Sequence, residues 1–305
     1  FDFYLNFPSI SEVNKLLEDV DIIQISGPGT MGIVARYLAW KRKVPVVVHH
    51  HTNIDDYAGV IAGAIFEKII KLYIKIFYAG IRDIIVPSDN CAEKLGKFLH
   101  NKKFHVIRRA IDHKIFFRRK NFDSFEEINN IIKIKKTRQK ILLYAGRISP
   151  EKNILSLRKV CSKKNQLVFV GSGSYISKIK NDFKTSIFVP RQTQANLSYW
   201  YSVADFFVFP SKTDTFGNVV LESIACGTPV IAHKNTSAEE IIQDGKTGFL
   251  IEDFNQVDHK INISKKERDE MTINCIKESK KYSWEKIYSD HIILYRKIMK
   301  NCLKK

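Results

Sequence analysis

The chain has 305 residues, 44% of them hydrophobic and 27% charged, a globular composition with room for two α/β domains. Fourteen Gly and eight Pro exclude a collagen-like or linker-dominated chain. The 50 basic residues against 32 acidic ones give a formal charge of +18, which points to a polyanionic partner: nucleic acid, an anionic membrane face or phosphorylated substrates.

The longest uncharged apolar stretch, residues 57–66, has ten residues, about half a bilayer crossing, so no transmembrane helix is expected. Five scattered cysteines (Cys91, Cys161, Cys226, Cys275 and Cys302) lack C-x-x-C spacing, which argues against a disulfide framework or a thiolate zinc site and fits a reducing cytosol. Residue 1 is Phe, with neither an initiating Met nor a signal-peptide region before it, so the sequence reads as processed or as a fragment.

In chain order, residues 21–25 form a short β-rich run, followed by a Gly-rich turn and a helical stretch over 33–41. Residues 44–49 are rich in β-branched side chains without alternation, the pattern of a strand buried on both faces. Further runs at 83–87, 104–107, 141–144, 167–170, 187–189, 205–209 and 229–232 repeat the theme, with helical spacers between most of them. The series predicts parallel sheets with helices on both faces.

Residues 114–140 break this rhythm with nine basic and three acidic residues and are expected to connect two α/β units. The units are thus expected at 1–113 and 141–282. A last amphipathic helix, over 283–305, begins at an N-cap-like Ser283-Trp-Glu-Lys286. In 66–77, Lys68, Lys71 and Lys75 recur at helical spacing between Phe66, Ile69, Ile70, Tyr73, Ile74 and Phe77. That pattern suits either a helix packed on its sheet or a peripheral element meeting anionic headgroups.

Several short motifs carry chemistry. Gly27-Pro-Gly-Thr-Met-Gly32 is a formal G-x-G-x-x-G, but the next strand ends in His49-His-His51 and lacks the acidic residue a dinucleotide ribose needs. The turn is better read as backbone amides presented at a helix N-terminus. Of the three histidines only His49 and His51 can share a strand face, and no acidic or cysteine partner sits at ligand spacing, so no metal is expected. Asp19-Val-Asp21 precedes its strand and is read as surface.

Gly146, Arg147 and Lys152 follow the strand at 141–144, bringing a backbone that can approach a ligand and two cations suited to a diphosphate. Residues 214–222 are the most specific segment. Phe216, Gly217, Asn218 and Val219 place backbone N–H groups at a helix start, while Asp214 and Glu222 stand eight apart. One carboxylate can face a reacting sugar and the other the hydroxyls of a ribose.

These segments, with Gly171-Ser-Gly173, Gly227-Thr-Pro-Val-Ile-Ala232 and Asp244-Gly-Lys-Thr-Gly-Phe-Leu250, resemble the donor lobe of family 4 retaining glycosyltransferases. Residues 45–52 and 85–88 extend the resemblance to the first unit. It implies the GT-B fold, two Rossmann-like parallel-sheet lobes facing a cleft, and transfer of a hexose from a UDP- or GDP-linked sugar without a metal or other cofactor. Mapped by motif, Arg147 and Lys152 would neutralise the leaving diphosphate and Asp214 would sit by the donor sugar. Glu222 would hold the ribose, Gly146, Gly171, Phe216, Gly217, Asn218 and Val219 would line the donor, and His51 would reach the sugar from the first lobe. No second carboxylate pair at glycosidase spacing is evident.

The expected acceptor is a membrane lipid or cell-envelope glycan. The expected location is cytoplasmic, with a peripheral hold on the inner face of the plasma membrane. Two other readings are a basic nucleic-acid-binding protein, for which no RNP, KH or zinc-finger signature is present, and an inactive nucleotide-binding fragment. Three departures from the family pattern stand out. Asp214 replaces the usual Glu, Ala110 stands where Gly is expected, and the opening strands of the first lobe, about 60 residues for two βαβ-type units, are not found.

Overall fold

The computed structural model describes residues 8–122, 126–136 and 139–302. The chain divides into two compact units, Phe1–Arg108 with Glu285–Lys305, and Arg109–Trp284.

In the first unit β1 (Ile23–Ile25), β2 (Val46–His49), β3 (Asp83–Val86) and β4 (Lys103–Val106) form a parallel sheet in the order β1-β2-β3-β4. Ile25 pairs with Val48, and Ile84 with Val48 and Phe104. The connecting helices are α1 (Ile10–Leu16), α2 (Thr30–Arg42), α3 (Ile54–Ala62), α4 (Ala64–Tyr78) and α5 (Asp89–Gly96). α2 stops because Lys43 turns left-handed (φ 57°) and donates its N–H to the Trp40 carbonyl at 3.2 Å, with Pro45 close behind. α5 starts at Ser88, whose hydroxyl accepts from the Cys91 N–H at 3.1 Å. Val48, Ile84 and Val86 from the strands close a core with Ile74, Phe77 and Tyr78 of α4.

The second unit carries six parallel strands: β5 (Lys140–Ala145), β6 (Asn165–Val170), β7 (Ile187–Val189), β8 (Phe206–Phe209), β9 (Val230–His233) and β10 (Gly248–Ile251). Their order is β10-β9-β8-β5-β6-β7. Alternation within each apolar run feeds two separate cores: Ile141, Leu143, Phe207 and Phe209 point to one face, Leu142, Tyr144, Phe206 and Val208 to the other. That is why these strands read as unbroken hydrophobic runs. The helices are α6 (Glu126–Lys136), α7 (Ile176–Asp182), α8 (Gln194–Val203), α9 (Asn218–Ala225), α10 (Val257–Lys260) and α11 (Lys265–Ser279), the last opened by a Ser264–Glu267 capping box. The final helix, α12 (Trp284–Cys302), follows Ser283 and from Glu285 onward belongs to the first unit.

The structure differs from the sequence reading at residues 114–140. Rather than lying between units, Phe116, Ile128 and Ile131 are buried in the second unit's core, and 126–136 is helical. Two of the basic residues there serve packing: Arg119 Nε donates to Ser198 Oγ at 2.9 Å and its guanidinium lies over the Phe117 ring at 3.7 Å, and Lys135 pairs with buried Asp205 at 3.1 Å.

Candidate functional site

The second unit gathers its polar groups at the carboxyl ends of β5, β6 and β8, where open parallel sheets bind ligands. β5 delivers Gly146, whose N–H donates to the Val170 carbonyl at 3.0 Å and so holds the loop against β6. Gly171 follows β6 at φ 151°, and a Cβ there would stand 2.0 Å from the Gly146 carbonyl oxygen. Only glycine lets the two loops run backbone on backbone.

Beyond Gly146 the chain turns through a short 3-10 segment, Pro150–Lys152, and Asn153 takes a left-handed conformation (φ 54°) that lets its amide donate to the Pro210 carbonyl at 3.1 Å. This contact ties the loop after β5 to the end of β8. Lys152 Nζ then meets Asp214 Oδ1 at 2.5 Å, both side chains only 15% exposed. The Asp214 carbonyl accepts from Ser237 Oγ at 2.7 Å, which fixes the loop backbone from the β9 side.

Arg147 is half-exposed, its guanidinium 3.5 Å from Oε1 of the fully buried Glu151. Ser149 Oγ donates to the same oxygen at 2.6 Å, and Tyr144 Oη donates to the Arg147 carbonyl at 2.6 Å. Burial raises the Tyr144 phenol well above its ordinary value, so it remains a donor.

The loop after β8 reaches α9 through Gly217, left-handed at φ 87°, where a Cβ would come within 3.2 Å of the Phe209 ring and the Val220 side chain. The first-turn N–H groups of Asn218 and Val219 lie beyond the reach of any carbonyl of that helix. Phe216, expected as a donor contact, has a buried side chain facing Tyr282 at 6.2 Å between ring centres, so only its backbone can meet a ligand. Glu222 sits on α9 and accepts from Tyr201 Oη on α8 at 2.9 Å. Burial lifts its carboxyl from 4.5 to about 7 against the opposing pull of that hydrogen bond.

The sequence motifs thus bring together Lys152 with Asp214, and Gly146 with Gly171. They do not disclose Glu151, Asn153, Tyr144, Tyr201 and Ser237, which hold those groups. The available signal was the Glu151-Lys152-Asn153 run, in which Asn is a residue that tolerates a left-handed turn.

In the first unit, β2 ends in His49, and the His49 and His51 rings lie 3.9 Å apart, with His51 two residues past the strand. His291 of α12 stands 5.8 Å from His49. His50 points the other way, between Tyr78 Oη at 2.9 Å and Asn53 Oδ1 at 3.2 Å. Burial lowers its imidazole to about 4 and keeps it neutral. His51 lines a cavity of about 540 Å³ with Gln24, Gly27, Pro28, Thr52 and Ile54. Among the described residues no cluster of His, Cys, Asp and Glu is arranged to hold a metal ion.

The profile of the family described as glycosyl transferases group 1 matches residues 125–282, and that of glycosyltransferase family 4 matches residues 1–115. The chain belongs to the family 4 glycosyltransferases, with the GT-B fold. It is 28% identical to an alpha-monoglucosyldiacylglycerol synthase of Streptococcus pneumoniae over 81% of this chain and 59% of that protein. It is also 28% identical to a sulfoquinovosyl transferase of Arabidopsis thaliana over 90% of this chain and 56% of that protein. The chain therefore spans less than two thirds of these relatives. Among solved structures, sucrose-phosphate synthase from Thermosynechococcus elongatus superposes with a TM-score of 0.78 at 19% identity, over 95% of this chain and 77% of that one. The Anabaena HepE complex with UDP-glucose superposes at 0.74 and 15% identity, over 97% and 82%.

Proposed function

We propose that this glycosyltransferase-family chain transfers a hexose from a UDP- or GDP-linked sugar to a membrane-lipid or cell-envelope glycan acceptor, with retention at the anomeric carbon and without a metal. The observation that carries the donor half is the Lys152–Asp214 pair, with Arg147 on the same loop as Lys152 and, just beyond Asp214 in the chain, a helix start whose first amides are unused by the helix. When the glycosidic C–O bond breaks, negative charge grows on the departing diphosphate. Two cations and the α9 amides then stabilise the transition state more than the ground state.

In this reading Lys152 exchanges part of its contact with Asp214 for a phosphate oxygen, and Arg147 swings from Glu151 to the other phosphate. Asp214, held by Ser237 through its backbone, faces the sugar. Gly146, Gly171 and Gly217 leave room for the nucleotide, the backbone of Phe216 and the amides of Asn218 and Val219 meet the phosphates, and Glu222 takes the ribose hydroxyls. His51 contacts the transferred sugar. The acceptor half is supported by the printed names of the relatives, a glucosyldiacylglycerol synthase and a sulfoquinovosyl transferase.

Calorimetric titration of the full chain with UDP-glucose and GDP-mannose, with and without EDTA, tests the donor half. Binding of one of them unaffected by EDTA is expected. Binding of neither, or loss of binding under EDTA, refutes it.

A further inference from the structure

We propose that the first unit binds a nucleoside polyphosphate in a groove at the amino ends of its strands. The site is separate from sugar transfer. Open parallel sheets take their ligands at the carboxyl ends of the strands, where the His51 cavity lies, and this groove is at the other end of the same sheet.

The groove has a volume of about 1060 Å³, enough for a nucleotide. Val46, Asp83 and Lys103, the first residues of β2, β3 and β4, all line it. α2 adds Arg36, Tyr37 and Trp40, and the last turn of α12 adds Asn301.

The lining is strongly positive. The carboxyl end of α4 points its carbonyls here, and two cations are spent on covering them. Arg36 donates to the Ile76 and Ala79 carbonyls at 3.0 and 2.6 Å, and Lys102 donates to those of Tyr78 and Ile81 at 2.6 and 2.7 Å. Burial, and after it the Arg36 charge, holds the Lys102 ammonium below its ordinary value, the mark of crowded positive charge. Lys41, Lys43, Arg82 and Lys103 are exposed around the groove, and no carboxylate among the described residues pairs with them. Asp83 is the one acid among the described lining residues, and His105 Nε2 holds it at 2.7 Å. With the carbonyls covered and the acid engaged, these cations are left to meet a ligand of several negative charges.

The rings identify the rest of that ligand. Tyr37 and Trp40 stand about one turn apart on α2, with ring centres 6.3 Å apart, and are 50% and 76% exposed. An indole so open to water adds little to folding. A planar base stacks on such a face, and the neighbouring cations then reach its phosphates. A sugar phosphate or inorganic phosphate would leave the rings idle, whereas a nucleoside di- or triphosphate uses both halves of the groove.

The test is titration of the full chain with ATP at low and high salt, read by tryptophan fluorescence and by calorimetry. One ATP per chain is expected, with quenching that Trp40→Ala abolishes and affinity that salt weakens. Trp40→Ala should weaken binding about fivefold or more. Lys43→Gln with Arg82→Gln should weaken it about twofold to thirtyfold at low salt. All three side chains are exposed, so the thermal transition should stay where it is. Undetectable binding at millimolar ATP, or equal binding by wild type and both variants, overturns the proposal. So does inorganic tripolyphosphate binding as tightly as ATP, which would leave the rings without a role. Displacement of ATP by UDP-glucose would put it in the second unit and overturn the proposal too. Tighter binding of oligodeoxythymidylate that grows with its length would make the groove a single-stranded nucleic-acid surface instead.

Discussion

Glu222 gives the sharpest test of the donor assignment, because its charge is poised and its proposed partner cares about that charge. With the carboxyl lifted from 4.5 to about 7, the side chain is largely protonated below neutrality. Ribose hydroxyls donate hydrogen bonds, and an ionised carboxylate accepts them better than an acid does. Affinity for a nucleotide-sugar should therefore rise with pH up to about 7, approaching tenfold per pH unit, and then level off. A nucleotide-sugar is the right ligand because a terminal phosphate titrates near pH 6 and would blur the result.

The same group has the opposite effect on the unliganded protein. Between 4.5 and about 7 the native state keeps a proton that the unfolded chain releases, so unfolding free energy falls across this window and is flat above it. The full fall is worth about 3 kcal/mol at 1.36 kcal/mol per pH unit, a ceiling for a group that water can still approach. Glu222→Gln keeps an acceptor for Tyr201 but cannot ionise. It should flatten both profiles, with the greatest gain in stability above neutrality. Calorimetry and urea denaturation of both proteins across the window measure the two slopes. Coincident profiles for wild type and variant would refute the reasoning.

Four further outcomes are expected. Arg147→Ala should lower kcat more than it raises KM, since the charge it meets grows as the bond breaks; steady-state kinetics with an equal effect on KM alone would contradict the role. Gly171→Ala should abolish nucleotide binding and destabilise the second unit by about 3 kcal/mol or more, because the Gly146 backbone cannot retreat from a Cβ 2.0 Å away. His50, lowered to about 4, contributes stability that is lost as pH falls from 6.5 toward that value, by up to about 3 kcal/mol, and His50→Gln should remove that slope in acid denaturation. Asp214→Asn should spare nucleotide binding measured by calorimetry but cut turnover at least about tenfold, since its proposed partner is the sugar rather than the base.

The sheets were legible because parallel strands buried on both faces leave long β-branched and aromatic runs, and nine of them stand out in the sequence. β10 was missed: it begins inside the 244–250 motif and opens on Gly248, a residue that weakens a strand pattern. α6 was hidden by its lysines, although Ile128 and Ile131 hold the helical spacing that buries them. In α4 the period was readable but the face was not. Apolar residues occupy most of the circumference, and only the sheet decides that Ile74 and Phe77 go inward while Ile69 and Leu72 stay out. At the site, motif spacing located Lys152 and Asp214, but it could not foresee that they touch, because 62 residues separate them. Nor could it show that Phe216 turns its ring into the core, since an aromatic residue in a loop carries no periodicity.

The first unit is made from two stretches of chain on either side of the second, since α12 joins it only after the whole second unit has been synthesised. During translation its sheet must wait for α12, which emerges on the order of ten seconds or more after β4, at 5–20 residues per second. Until then the surface that faces residues such as His291, 5.8 Å from His49 in the finished protein, remains uncovered. The nascent first unit is thus the part most exposed to chaperones and proteases, and a stop codon before α12 would injure a unit already made.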